Sequence, residues 1–118
     1  MEVLFIIGRI LFGGFFIYNG INHFRHLKHI TGYAQSKKIP LPKVATIVTG
    51  LLLLLGGIAV LANFYAVIGL WMLVVFLIPV TVTMHAFWNE TDPGQKMMQQ
   101  NQFAKNIALL GALFLMLS

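Results

Sequence analysis

Four stretches of this chain run for about twenty residues each with almost no charge, the length an α-helix needs to cross the ~30 Å hydrocarbon layer of a bilayer. They cover about residues 3–24, 44–62, 65–88 and 102–118. The first is interrupted by Arg9 and, near its end, by Asn19, Asn22 and His23. None of the four alternates apolar with polar residues, so barrel strands are excluded in favour of helices. Helices of this length take up roughly 80 residues, and a chain of 118 then has no room for a soluble domain. What is left is a connector over 25–43, a shorter one over 89–101 and a tight turn at Asn63-Phe64. The expectation is an all-α, antiparallel four-helix transmembrane bundle forming one domain over 1–118.

Composition agrees. Only 9% of residues are charged and 58% are hydrophobic, against about 25% charged in ordinary soluble domains. A soluble monomer of this size must cover a large surface with polar side chains that this chain lacks. The first stretch is read as a retained helix and not a signal peptide: it has no basic leader, Arg9 lies inside it, and no small-residue cleavage pattern follows. Basic residues set the orientation. Arg25, Lys28, Lys37, Lys38, Lys43, Lys96 and Lys105 fall on the side where helices one and three end. Short basic loops stay cytoplasmic, so both longer connectors are placed inside a cytoplasmic membrane and both termini outside. Topology and anionic headgroups then account for the net charge of +5, and no aromatic-basic module points to nucleic acid. The mixed segment 26–34 reads as a short helix lying at the interface, stopped by Pro40 and Pro42.

Arg9 is the costliest residue, since a charge at mid-membrane costs about 2.5–3.5 kcal/mol on insertion scales. It either snorkels to headgroups or faces the bundle interior and binds an anion or a quinone-type carbonyl. Arg9, Phe12, Phe16, Asn19 and His23 follow at steps of three and four, so they share one helix face. A second group sits towards the cytoplasmic ends: Asn19, Asn22 and His23, then His85 and Asn89, then Gln102, Lys105 and Asn106. It reads either as hydrogen-bonded glue between helices or as a site for a small polar or redox ligand. No metal is expected, because His23, His26 and His29 fan out around the axis and no carboxylate lies near them. Haem between His23 and His85 has no sequence mark, and a di-iron centre lacks inward carboxylates. The absence of cysteine removes thiol–disulfide relays, and Ser36 and Ser118 are poorly placed as nucleophiles. Glycines on the first three helices read as sites of close helix approach. Pro79 should kink helix three, with Thr83 free to bond its carbonyl.

Several segments together resemble the DoxX family of small four-helix membrane proteins. Gly8 to Gly14 and then Asn19 to Phe24 look like its first helix, with an intramembrane arginine followed by a glycine and a polar residue near the helix end. Tyr33 to Pro42 is similar to its connector. Met84 to Trp88 and Phe103 to Gly111, with its Phe-x-Lys-Asn segment, resemble the third-helix exit and fourth-helix entry. Some relatives are associated with quinone-linked sulfur oxidation or with quinone and oxidative-stress responses. The resemblance draws attention to Arg9, His85, Lys105 and Asn106.

The leading expectation is therefore a membrane component linked to quinone or redox metabolism, at most a subunit of a quinone-linked oxidoreductase. It would bind a small amphipathic ligand inside the bundle through Arg9, Asn19, His23, His85, Lys105 and Asn106, with quinone as the cofactor. The expected surroundings are the lipid bilayer, redox partner proteins and a second copy in a homodimer. The rivals are a non-catalytic scaffold or assembly subunit and a small-molecule carrier.

Overall fold

The structure is a computed structural model describing residues 2–118, and every regular element among them is helical. Helices α1 (Glu2–Arg25), α2 (Leu27–Ser36), α3 (Pro42–Ala62), α4 (Ala66–Met84) and α5 (Pro93–Leu117) follow in order, with a 3-10 turn at Phe87–Asn89 between the last two. The chain packs as two compact units, Met1–Leu73 and Val74–Ser118, divided within α4.

In the first unit, α1 and α3 lie antiparallel along a seam of glycines. A Cβ on Gly13 would stand 2.8 Å from the Gly57 carbonyl oxygen, and one on Gly57 would stand 2.9 Å from that of Gly13. Gly20 meets Leu54, and Gly50 meets His23 and Phe24, so the register falls along α3 as it rises along α1. Lipid offers no hydrophobic drive for helix association, and close backbone approach supplies dispersion contacts instead. Phe16 and Leu53 fill this unit's interior. The turn between α3 and α4 places Asn63 (φ 53°) and Tyr65 (φ 51°) in the left-handed region. Asparagine adopts that region more readily than most residues. Beyond the turn, Gly56 and Gly69 bring the helices together again.

Helix α2 is the short amphipathic helix expected for the long connector. Its buried Ala34 and half-buried Leu27, Ile30 and Thr31 recur at helical spacing, and Thr31 Oγ1 lies 3.4 Å from Thr46 Oγ1 on α3. Pro42 opens α3 at the first helical position, where a missing N–H costs nothing.

In the second unit, Pro79 interrupts the backbone ladder of α4, and Thr83 donates to the Pro79 carbonyl at 2.6 Å, as expected. Asp92 caps α5 by accepting from Gln95 N at 2.9 Å. Asp92→Ala removes that cap and should cost about 1 kcal/mol in a denaturant titration. The buried stripe of α5 is Gln99, Asn106 and Leu113, spaced at sevens.

The fourth membrane helix differs from expectation. Among the described residues three helical segments are long and apolar enough to cross a bilayer: Glu2–Arg25, Pro42–Ala62 and Ala66–Asn89. Helix α5 begins nine residues before Gln102, and its first half carries Gln99, Gln100, Asn101, Gln102, Lys105 and Asn106. Its continuous apolar part, residues 107–117, is about 16 Å long, roughly half the hydrocarbon thickness.

Candidate ligand-binding site

Arg9 carries the least satisfied polar group among the described residues. Its Nε is fully enclosed, and its guanidinium makes no hydrogen bond to any described residue. It stands instead over the Phe5 ring in a cation–π contact, 5.2 Å from the guanidinium carbon to the ring centroid. An arginine presents five N–H donors, and in hydrocarbon an unmet charged donor is costly. The expected face is real in geometry: Arg9, Phe12, Asn19 and His23 are half-buried and Phe16 is buried. Phe12 and Phe16 tilt against each other at 5.1 Å between centroids, and Phe15 meets Phe16 edge-on at the same distance. A cation thus stands one turn along α1 from a group of tilted and edge-on rings.

Asn19 donates to the Phe15 carbonyl of its own helix at 2.8 Å, so its amide nitrogen needs no partner from another helix. His23 turns to α3, where its Nδ1 lies 3.1 Å from the Thr46 carbonyl oxygen and 3.3 Å from Thr49 Oγ1. A carbonyl can only accept, so Nδ1 carries the proton and the imidazole lone pair sits on Nε2. Both threonine hydroxyls also bond back into α3: Thr46 to the Pro42 carbonyl at 2.9 Å and Thr49 to that of Ala45 at 2.7 Å.

The other expected site residues belong to the second unit. His85 Nδ1 lies 2.7 Å from Oε1 of Gln99, which is buried. Asn106 is 4% exposed and its amide bonds no described residue, whereas Lys105, next in the chain, is exposed. Phe87, Trp88 and Phe103 form a mutually edge-on trio with centroids 5.3–5.7 Å apart. The polar residues expected to act together thus have their observed partners within separate units: Thr46 and Thr49 for His23, Gln99 for His85. Sequence reading missed Thr46, Thr49 and Gln99. The threonines are three apart, and Gln99 stands seven before Asn106, so helical spacing was the available signal.

An apolar recess of about 430 Å³ lies between α3 and α4, lined by Leu55, Ile58, Ala59, Tyr65, Gly69 and Met72 among others. Its walls are almost entirely hydrocarbon. No group of three or more His, Cys, Asp or Glu side chains able to hold a metal occurs among the described residues.

The DoxX family profile matches residues 4–86, most of the chain, from the first turn of α1 to just past the end of α4. The chain belongs to the DoxX family. This DoxX chain is an integral membrane protein by that membership and by its three long apolar helices, in contact with the lipid bilayer along them. The match includes Arg9, Asn19, His23 and His85, and stops before Phe103–Gly111 with Lys105 and Asn106. No curated protein and no solved structure matches the chain.

Proposed function

We propose that this DoxX protein is a quinone-binding component of redox metabolism in a cytoplasmic membrane, with Arg9 as its principal ligand-binding residue. The observation that carries the reading is Arg9, whose enclosed Nε has no hydrogen-bond partner among the described residues and whose guanidinium stands over the Phe5 ring. A quinone offers a flat apolar ring for an aromatic slot and carbonyl oxygens for donors. A hydrogen bond from a cation in a low-dielectric site is among the strong ones. When bound, a quinone supplies reversible electron and proton transfer, which is the cofactor's own chemistry. The chain's part is to hold a carbonyl at Arg9, with His23 and His85, each fixed through Nδ1, as candidate proton stations. Asn19 joins Arg9 and His23 in the polar set proposed for the first unit, and Lys105 and Asn106 join His85 in that proposed for the second. The basic connector 25–43 lies on the cytoplasmic side in this reading.

The test pairs two measurements on purified protein in nanodiscs. Arg9→Gln should weaken quinone binding ten- to hundredfold, the ~1.5–3 kcal/mol of a hydrogen bond to a charged group. The same change should leave thermal stability without ligand unchanged or raised, since it removes a buried charge with no partner. Absence of quinone binding by the native protein overturns the proposal.

One observation favours a second reading. His23 and His85 are both hydrogen-bonded within their own units, as expected of a scaffold whose polar groups only join helices. In that case Arg9→Gln binds quinone no differently from the native chain.

A further inference from the structure

The end of the first unit where α1 stops and α3 starts carries a charge that nothing in that unit balances. Arg25, Lys28, Lys38 and Lys43 are all exposed there, with His26 and His29 between them. Lys37 is partly engaged over the Tyr33 ring, 5.6 Å from its centroid. The chain has no Asp or Glu from residue 3 to residue 89. Glu2, the one carboxylate side chain of the unit, stands at the opposite end of a 24-residue helix, about 35 Å away and several Debye lengths removed.

The backbone holds these cations outward. Helix α2 turns Leu27, Ile30, Thr31 and Ala34 inward, so Lys28, His29, Gln35 and Ser36 fall on its exposed side. Lys38 and Leu41 both adopt positive φ, 60° and 46°, which breaks the chain sharply between α2 and α3. Leu41 is 72% exposed between Lys38 and Lys43, and Val44 and Phe24 add exposed apolar surface at the same end. Water solvates such leucines poorly, and a protein or nucleic-acid partner is not needed to explain them. A surface of cations mixed with exposed apolar side chains, at the ends of two helices able to cross a bilayer, matches the headgroup region.

We infer that α2 and its flanking turns form a binding surface for the phosphate headgroups of anionic phospholipids in the adjoining leaflet, with Arg25, Lys28, Lys38 and Lys43 meeting the phosphates and Leu41 dipping into the acyl region. The inference is independent of any ligand at Arg9.

The experiment uses the full chain in proteoliposomes of phosphatidylcholine with spin-labelled phosphatidylglycerol or spin-labelled phosphatidylcholine as probe. The native protein should prefer the anionic probe at least about fivefold at low salt, the ratio that ~1 kcal/mol for a single cation near an anionic surface gives. The preference should shrink as salt shortens the Debye length. Arg25→Gln, Lys28→Gln, Lys38→Gln and Lys43→Gln together should bring the ratio close to one, while the three Lys→Arg changes should retain it. These side chains are exposed, so the variants keep the fold. Equal association of the two probes with the native protein overturns the inference, as does a preference that survives the four glutamines. Inorganic phosphate abolishing the preference at an ionic strength where sodium chloride does not also overturns it, showing a free-anion site in place of a headgroup surface.

Discussion

Alanine at Gly13 or Gly57 is expected to break the packing of α1 on α3, among the largest single-residue losses in the molecule. At both positions the new methyl meets backbone that cannot rotate away: the Gly57 carbonyl oxygen at 2.8 Å and Leu61 N at 2.9 Å for Gly13, the Gly13 carbonyl oxygen and Ile17 N at 2.9 Å for Gly57. Overpacking a close-packed interior typically costs 1–3 kcal/mol where side chains can adjust. Here one helix must move off the other, so the cost should reach at least the top of that range. Gly20 and Gly50 face side-chain atoms of Leu54 and Phe24 besides fixed ones, and alanine there should cost less. Gly8, Gly14 and Gly111 have nothing within 4 Å of an added Cβ. Alanine at those three should be neutral or stabilise by up to about 1 kcal/mol through helix propensity. Thermal or SDS unfolding of the seven single variants in one detergent measures the ordering. Equal losses at Gly13 and Gly14 would show that the glycine seam is not the contact between α1 and α3.

The same glycines show what could be read in advance. Length and hydropathy place α1, α3 and α4 within a few residues, because a bilayer sets the length of a helix that crosses it. Pro79 and Thr83 predict their own bond, since both partners lie on one turn. That glycines bring helices together is a general rule of membrane packing, and Gly13, Gly20, Gly50, Gly56, Gly57 and Gly69 obey it. Gly14, next to Gly13, does not, because which face a helix turns to its neighbour is a tertiary fact. The start of α5 was misplaced for a different reason. Hydropathy marks only the apolar end at 107–117, while the helix is nucleated much earlier by the Asp92 cap and Pro93 at the first helical position. The polar residues proved hardest. His23 and His85 were legible as costly groups needing partners, but the partners are a main-chain carbonyl and a glutamine. Every residue has a carbonyl, so sequence gives no mark for the one a histidine will choose.

A double-mutant cycle on His85 and Gln99 should give the second largest effect and separate the two readings of this family member. Gln99 is 7% exposed, and its Oε1 lies 2.7 Å from His85 Nδ1. His85→Ala removes that partner from a buried amide and should cost about 1–3 kcal/mol, the range for loss of a buried hydrogen-bond partner. Gln99→Leu removes the partner of the imidazole Nδ1 instead, with a loss of the same order. If the bond is the source of both losses, the double variant should lose less than their sum, with a coupling energy of roughly 0.5–3 kcal/mol. The cycle in stability is required by either reading, because the bond exists in both. Quinone affinity measured on the same four proteins then divides them. In a scaffold, affinity is absent or indifferent to His85. In a quinone-linked protein, His85→Ala lowers turnover with a redox partner even in the Gln99→Leu background, where its bond to Gln99 is gone. Whether His85 acts as a proton station is therefore decided by what remains of its effect once Gln99 has been removed.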